Sequence, residues 1–363
     1  MSMTKTLSKE VAGDLISAFL AKEAGAKAWH ARQHLLDTRD LTLGEVSSHL
    51  ALTGHFKQVQ AHRMPPLAIL SRRTVATLFH ENSTRTKSSF DLASRKVGAT
   101  VLNLDIKTSS AAKGESLLDT ATNLYSMGVD AIIMRHSEGG TQAKLALESN
   151  AAIKLQHGAD ARLSIINAGD GASAHPSQGL LDLYTMLETL DCLPKLQSDG
   201  TVANSLQSDT LKGKKIAIIG DILHSRVARS NLWLLRNLGA QVHFAGPETL
   251  VPMDFAMPDY GATVHHRLDS AIADADFIIS LRIQMERQEQ GLISIDEYCA
   301  RYRLDHETIK GAKPGVRILH PGPINRGTEI TEALADDPKY SLILKQVTNG
   351  VLTRMSIVSL LLA

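Results

Sequence analysis

Short apolar runs alternate along this chain with longer segments whose apolar residues recur at helical spacing. The predicted strands are Thr74–Phe79, Thr100–Asp105, Asp130–Arg135, Leu163–Ala168, Lys214–Gly220, Gln241–Ala245, Asp276–Leu281 and Arg317–Leu319. The predicted helices are Ser116–Met127, Thr141–Glu148, Pro176–Leu190 and Arg226–Leu238, with one more that carries Phe90, Leu92, Ala93 and Val97. This order of strands and helices predicts an α/β fold with parallel sheets covered on both faces.

Three regions lie outside this alternation of strands and helices. Residues 191–213 are polar and lack periodicity, so they predict a connection with an inserted surface loop and a domain boundary. Because the α/β order continues on both sides of this connection, we expect two doubly wound domains, each with a central parallel sheet. Residues 11–36 predict an amphipathic helix, and the apolar spacing over 348–363 predicts an apolar helix.

Composition narrows the class of protein. The chain has 363 residues, 43% hydrophobic and 21% charged, as expected for a soluble globular protein of two domains. A net charge of +1 gives no reason to expect a nucleic acid partner. No apolar run reaches transmembrane length, so we expect no membrane association. Cys192 and Cys299 lie far apart without CxxC pairs, which disfavours a zinc ribbon or disulfide framework and favours the cytoplasm.

Candidate chemistry begins at the turn after the first predicted strand. Ser83, Thr84 and Thr86 offer three hydroxyls and Arg85 a planar cation, beside the unpaired N–H groups of a new helix. Such a turn suits a phosphate or a similar oxyanion. Without further context, ordinary helix capping is the alternative interpretation. No Walker A pattern is present.

Two more strand ends carry polar residues. Arg135 ends the strand over 130–135, and the strand over 163–168 leads into a loop that contains His175 and Gln178. Ligands of parallel sheets bind beyond the carboxyl ends of the strands, so we expect these residues to converge on one crevice. Taken singly, Arg135 could be a surface residue and His175 a solvated loop residue.

Six motifs, in this order, resemble the aspartate and ornithine carbamoyltransferase family over residues 35–363. They are F-x-x-x-S-T-R-T at 79–86, S-x-x-x-K-G-E at 109–115, H-P-x-Q at 175–178, G-D-I-L-H-S-R at 220–226, S-L-R-I-Q at 280–284 and H-P-G-P at 320–323. The resemblance implies an extension at 1–33, a carbamoyl-phosphate-binding domain at 34–190, an aspartate-binding domain at 191–345 and a C-terminal helix at 346–363 that returns to the first domain.

The resemblance also implies roles for the site residues. Those expected to bind carbamoyl phosphate are Ser83, Thr84, Arg85, Thr86, Ser109, Arg135, His175, Gln178, Gly322 and Pro323. Those expected to bind aspartate are Lys113, Arg226, Arg282 and Gln284. Arg85, His175 and Lys113 are expected to act in catalysis. Taken singly, Arg226 and Arg282 could also be cap or surface residues.

The implied reaction is transfer of the carbamoyl group of carbamoyl phosphate to the α-amino group of L-aspartate, early in pyrimidine biosynthesis. No metal or other cofactor is expected, and the single glycine after Lys215 fails the dinucleotide fingerprint. A homotrimer with shared sites is implied, with Ser109 and Lys113 reaching a neighbouring subunit. Binding of regulatory chains or of a dihydroorotase-type partner stays open.

Two alternatives remain at this stage. One is a carbamoyltransferase for another amine such as ornithine, although ornithine members carry H-C-L-P where this chain has Pro321. The other is a non-catalytic anion-binding homologue, which would be marked by loss of one substrate's motifs. Both sets of motifs are present here.

Overall fold

The structure, a computed structural model, describes residues 9–61, 66–81, 83–104, 115–283 and 294–363. The chain divides into two compact units. Unit 1 comprises Met1–Leu180, Leu187–Leu206 and Asn349–Ala363, and unit 2 comprises Leu181–Met186 and Gln207–Thr348. The α/β fold expected from the sequence is confirmed, with one parallel sheet in each unit.

Unit 1 is built around a four-stranded parallel sheet in the order β2-β1-β3-β4. Its strands are β1 (Thr74–Phe79), β2 (Thr100–Leu104), β3 (Ala131–His136) and β4 (Ser164–Asp170). Its helices are α1 (Lys9–Lys22), α2 (Ala24–Arg32), α3 (Leu43–Ala61), α4 (Thr84–Lys96), α5 (Leu117–Ser126) and α6 (Thr141–His157). Strand β4 is buried along its whole length, as expected for a strand whose two faces are both covered.

The N-terminal segment forms two helices where the sequence predicted one over residues 11–36. Helix α2 packs on α3, where the buried indole of Trp29 donates from Nε1 to the carbonyl oxygen of Glu45 at 2.7 Å. Arg32 pairs with the Glu45 carboxylate at 2.7 Å. Gly25 allows this approach, because a Cβ there would lie 2.3 Å from the carbonyl oxygen of Gly44. The segment is therefore a fixed part of unit 1.

Residues 191–213 were expected to be a connection with an inserted surface loop, and the structure adds a short hairpin within this segment. Two short strands, β5 (Lys195–Leu196) and β6 (Val202–Ala203), pair antiparallel. Their turn contains Gly200 at φ 85°, and a Cβ there would lie 3.0 Å from the backbone nitrogen of Phe19. This hairpin therefore packs against α1. Strands of two residues leave no detectable period in a sequence.

Unit 2 contains a five-stranded parallel sheet in the order β11-β10-β7-β8-β9. Its strands are β7 (Lys215–Ile219), β8 (Gln241–Ala245), β9 (Thr263–His265), β10 (Phe277–Ser280) and β11 (Arg317–Leu319). Its helices are α8 (Arg226–Asn237), α9 (Leu268–Ile272), α10 (Ile295–Tyr302) and α11 (Glu332–Ala335). A buried apolar cluster that includes Ile219, Ile278 and Ile318 packs around the central strands.

Two helices contribute to both units. Helix α7 (Pro176–Thr189) has its middle residues in unit 2, and α12 (Ile343–Leu362) enters unit 1 at Asn349. Within unit 1, the hydroxyl of Ser356 donates to the carbonyl oxygen of His49 at 3.0 Å. The predicted return of the C-terminal helix to the first domain is thus confirmed. Among the described residues, no helix is both long enough and apolar enough to cross a membrane.

Candidate active site

Three neighbouring strands of unit 1 end at the predicted phosphate site. Strand β1 lies beside β3, with Phe79 opposite Arg135, and β3 lies beside β4, with Met134 opposite Asn167. Because all three strands are parallel, their carboxyl ends share one edge of the sheet. The turn after β1, the end of β3 and the loop after β4 are therefore brought together, as the sequence predicted.

The polar residues of the turn after β1 differ in their exposure to solvent. Ser83 precedes α4, but its side chain makes no capping hydrogen bond. Thr84 and Arg85 are exposed, whereas Thr86 is buried. Partial desolvation by nearby protein atoms lowers the pKa of Arg85, but a guanidinium stays protonated at neutral pH. Capping by the Ser83 hydroxyl is thus not observed, and the turn keeps hydroxyl and cationic groups that suit an anion.

Arg135 is oriented by groups on both of its flanks. Its Nε donates to Glu81 at 3.0 Å, and its guanidinium also contacts the carbonyl oxygen of Ala168 at 3.4 Å. The side chain is 11% exposed, so one edge of the guanidinium is fixed by protein groups. Glu81 was not predicted from the sequence, although an acidic residue two positions before the anion-binding turn was the available signal.

A pair of histidines lies beside this ion pair. The rings of His80, which follows β1, and His136, which ends β3, are 4.9 Å apart between centroids. Burial and the neighbouring His136 lower the pKa of His80, so the neutral form of His80 predominates near neutral pH. The imidazole of His80 therefore adds no full charge to the site under those conditions.

The loop after β4 is held against the end of β3 by close backbone contacts. Gly171 has φ 47°, and a Cβ there would lie 2.7 Å from the backbone nitrogen of Gly139. Asp170 accepts a hydrogen bond from the N–H of Gly140 at 2.8 Å. This loop delivers His175 and Gln178 to the first turn of α7, where they are 4% and 7% exposed. Both are therefore nearly buried rather than solvated.

Arg354, which was not predicted from the sequence either, contacts two helices that begin at the candidate site. Its guanidinium stacks over the ring of Phe90 in α4, 5.0 Å from the centroid, and its Nη2 donates to Ser177 in α7 at 3.3 Å. The residue is 4% exposed. An arginine within an apolar helix was the only sequence signal, and it did not identify these partners.

In unit 2, as in unit 1, predicted site residues follow the ends of neighbouring parallel strands. Its strands β11, β10 and β7 are neighbours, and the predicted residues follow each of them. Arg226 begins α8 after β7 and is 7% exposed, while Arg282 follows β10 and is half-buried. The H-P-G-P segment follows β11 directly. Two guanidinium groups near neighbouring strand ends suit a ligand with two carboxylates.

The loop between β7 and α8 is fixed by buried contacts. The imidazole of His224 contacts the buried carboxylate of Asp221 at 2.8 Å. Gly220 has φ 127°, and a Cβ there would lie 3.0 Å from the carbonyl oxygen of Leu281 next to β10. The hydroxyl of Ser225 caps α8 by accepting from the N–H of Ala228 at 3.1 Å. Arg226 is therefore presented from a rigid helix start.

Three predicted site residues lie outside the described part of the chain. They are Ser109, Lys113 and Gln284. Their expected roles therefore stay predictions. The remaining predicted residues fall into two groups, one at the strand ends of each unit.

Comparison with known proteins identifies related domains and proteins. Residues 33–188 match the carbamoyl-P binding domain of aspartate/ornithine carbamoyltransferases, and residues 212–361 match the Asp/Orn binding domain. The aspartate carbamoyltransferase catalytic subunit of Thermosynechococcus vestitus is 43% identical over 331 residues, which cover 91% of this chain and 94% of that protein. Its counterpart from Acaryochloris marina is 44% identical over 331 residues, with coverages of 91% and 96%.

A solved structure of lower sequence identity is also similar to this chain. The aspartate transcarbamoylase of Trypanosoma cruzi, in complex with N-(phosphonacetyl)-L-aspartic acid, is similar to this chain with a TM-score of 0.75 and 27% sequence identity. The match covers 91% of this chain and 96% of that structure. The two-domain architecture is thus shared along nearly the whole chain.

Proposed function

Because the chain belongs to the aspartate/ornithine carbamoyltransferase family, we propose that it transfers the carbamoyl group of carbamoyl phosphate to L-aspartate. The products are N-carbamoyl-L-aspartate and phosphate, an early step of pyrimidine biosynthesis. The observation that carries this proposal is the convergence, within unit 1, of the Ser83–Thr86 turn, Arg135 and His175 on three adjacent strand ends. We assign carbamoyl phosphate binding to residues 34–190 and aspartate binding to residues 191–345.

The reaction needs positioning and charge stabilisation rather than a protein nucleophile. The α-amine attacks the carbamoyl carbon, a C–N bond forms, and the bond from that carbon to the phosphate oxygen breaks. The carbonyl oxygen gains negative charge as the amine adds. The guanidinium of Arg85 and an N–H of His175 stabilise that charge, and the departing phosphate accepts the proton of the amine.

The remaining ligands of carbamoyl phosphate follow from the same assignment. The hydroxyls of Ser83, Thr84 and Thr86 donate to the phosphate, and Arg135 supplies a second guanidinium. The amide oxygen of Gln178 accepts from the carbamoyl NH₂. Backbone oxygens at Gly322 and Pro323 accept from the same NH₂. Ser109 adds a phosphate contact.

Selection of aspartate rests on charge. Aspartate brings two carboxylates, and Arg226 and Arg282 each match one of them. We also assign Gln284 and Lys113 to aspartate binding. Ornithine would place a cationic side chain between two guanidinium groups, which repel it. Since Pro321 also replaces the cysteine of ornithine members, aspartate is the favoured acceptor.

We further propose that the protein is a homotrimer in which Ser109 and Lys113 complete the site of a neighbouring subunit. The relatives are named catalytic subunits, which is consistent with a multi-subunit enzyme. Cys192 and Cys299 lie far apart in the sequence without CxxC pairs, which supports a reducing compartment, and we assign the protein to the cytoplasm.

The test is an assay of the purified protein with carbamoyl phosphate and a panel of amines that includes aspartate and ornithine. We expect phosphate release and carbamoyl aspartate formation with aspartate alone. An Arg85→Ala protein purified in parallel controls for contaminating host enzyme. Citrulline formation from ornithine would favour the alternative acceptor, and no product with any amine would favour a non-catalytic homologue.

A further inference from the structure

We propose that His320 is a positioning residue that fixes the Gly322–Pro323 turn through a buried hydrogen-bond network. The inference rests on the proposed function, because it concerns the turn assigned to the carbamoyl nitrogen. All the residues that carry it belong to unit 2. None of them was singled out by the sequence for this role, since His320 was noted only as the start of the H-P-G-P motif.

The imidazole of His320 has two partners, and together they set its tautomer. Its Nδ1 lies 2.8 Å from the backbone nitrogen of Gly322, and its Nε2 lies 3.1 Å from Oε1 of Glu329. A backbone N–H can only donate, so Nδ1 must be the unprotonated nitrogen. The proton then resides on Nε2 and is donated to Glu329. Both side chains are 0% exposed, so water does not compete for these bonds.

Glu329 holds the far side of the same turn. Its Oε1 accepts a second hydrogen bond from the N–H of Asn325 at 2.6 Å. One carboxylate oxygen therefore links the ring of His320, before the turn, to the backbone of Asn325, after it. Gly322 and Pro323 lie between these two anchors. The turn is thereby tied at both ends by one buried acid.

The backbone of His320 is anchored by a second branch of the network. Its N–H donates to Oε1 of Gln346 at 2.8 Å, and Nε2 of Gln346 donates to Asp182 at 2.7 Å. The other oxygen of Asp182 accepts from Asn231 at 2.9 Å. Asp182, Asn231 and Gln346 are all buried. Asn231 lies on α8, the helix that begins with Arg226, so one carboxylate braces both the turn and that helix.

The bond from Gly322 to His320 matters because the turn has a backbone that few residues adopt. Gly322 has φ 64°, in the left-handed region that favours glycine. Glycine is conformationally permissive, so the sequence of the turn does not by itself select this φ. The hydrogen bond to Nδ1 supplies that selection. Carbonyl groups that receive the carbamoyl NH₂ must be held within a fraction of an ångström, and a 1 Å misplacement can cost about 100-fold in rate.

Two substitutions of His320 distinguish the role of Nδ1 from that of Nε2. In His320→Asn, the short amide places its oxygen near the position of Nδ1, where it can still accept from Gly322. In His320→Gln, the longer amide reaches the position of Nε2 and leaves the N–H of Gly322 without its acceptor. Both variants remove the imidazole, so both should lower the melting temperature. His306→Asn is the control, because His306 lies in the same unit but contacts Asp337 instead.

We expect His320→Asn to keep kcat within about tenfold of wild type and His320→Gln to lose about 100-fold, with little change in the KM for aspartate. A purely structural role predicts equal kcat values in the two variants, and that result would overturn the proposal. Hydrogen exchange of the Gly322 amide gives a readout that does not depend on turnover. It should stay slow in His320→Asn and become fast in His320→Gln.

The exchange measurement also separates this proposal from the proposed function. If wild-type protein forms no carbamoyl aspartate, the proposed function fails, yet the exchange contrast still decides whether His320 fixes Gly322. If the His320 variants do not fold, Glu329→Gln, which retains an oxygen acceptor, is compared with Glu329→Met, which does not. Equal exchange of the Gly322 amide in that pair would contradict the network.

Discussion

Replacement of Arg85 by alanine tests the proposed chemistry most directly. The side chain is exposed on the first turn of α4, after β1. Its proposed role is to stabilise the negative charge that develops on the carbamoyl oxygen. Removal of one such donor costs about 100- to 1,000-fold in kcat, or about 2.7 to 4 kcal/mol of transition-state stabilisation. We therefore expect kcat of Arg85→Ala to fall by that factor.

The same substitution should leave the fold intact. The hydroxyl of Ser89 bonds the main-chain oxygen of residue 85, which alanine retains, and alanine is a good helix former. The free energy of unfolding should change by no more than about 0.5 kcal/mol, as for other surface substitutions. Circular dichroism and thermal unfolding check this point.

Arg95→Ala is the matched control, since Arg95 lies in the same helix but pairs with Asp91 on the exposed surface. The assay is release of phosphate from carbamoyl phosphate at saturating aspartate, with both variants and wild type purified together. Arg95→Ala should retain wild-type kcat. A loss below tenfold in Arg85→Ala, or an equal loss in both variants, would refute the role given to Arg85.

Three further predictions follow from the other parts of the site and of unit 1. Arg282→Ala should raise the KM for aspartate about 10- to 150-fold, the equivalent of one charged hydrogen bond, with a much smaller effect on carbamoyl phosphate; equal effects on both substrates would contradict the assignment. Arg85→Ala and Lys113→Ala chains, each inactive alone, can be dissociated, mixed in equal amounts and reassembled. If subunits share active sites in a closed ring, about a quarter of the sites in the mixture should be intact and active. Hybrids without activity would place Lys113 in its own subunit's site. Burial and, to a smaller extent, the nearby Arg162 and Lys154 lower the pKa of His34 from 6.5 to about 4. As pH falls, the unfolded chain therefore takes up a proton at His34 before the folded chain does. The free energy of unfolding should decrease as pH drops from about 6.5 to 4. His34→Asn keeps an acceptor for the N–H of Ile165, and urea unfolding across that range should show a shallower pH dependence than wild type; an unchanged slope would show that other groups titrate.

The sequence determined most of the local structure, because strand and helix patterns depend on neighbours in the chain. The limits of β8 and β11 agree with the predicted ones, and β1 does so as well. Helix α6 was predicted to end at Glu148 but continues to His157. Its later residues mix polar and apolar positions with weak periodicity, so tertiary packing rather than pattern decides its end. Strand β9, three residues long, was missed for the same reason as β5 and β6.

The motifs identified the family and most of the candidate site, since each motif is a short contiguous run at a strand end. What they could not give was the order of strands in the sheets. Strand order follows from packing between residues far apart in the chain, and the sheet order β2-β1-β3-β4 makes neighbours of the three strand ends in unit 1. Because the ends of β1, β3 and β4 are neighbours in this order, the residues that follow them form one candidate site.

The supporting contacts were decided by tertiary structure alone. Arg354 meets Ser177 across 177 positions of sequence, and Gln346 meets Asp182 across 164. No local pattern marks such pairs, because a buried polar side chain takes whichever partner the fold brings within hydrogen-bond distance. The sequence therefore predicted which residues carry the proposed chemistry. The tertiary structure specified the buried partners that hold them in place, because those contacts exist only once distant segments have packed together.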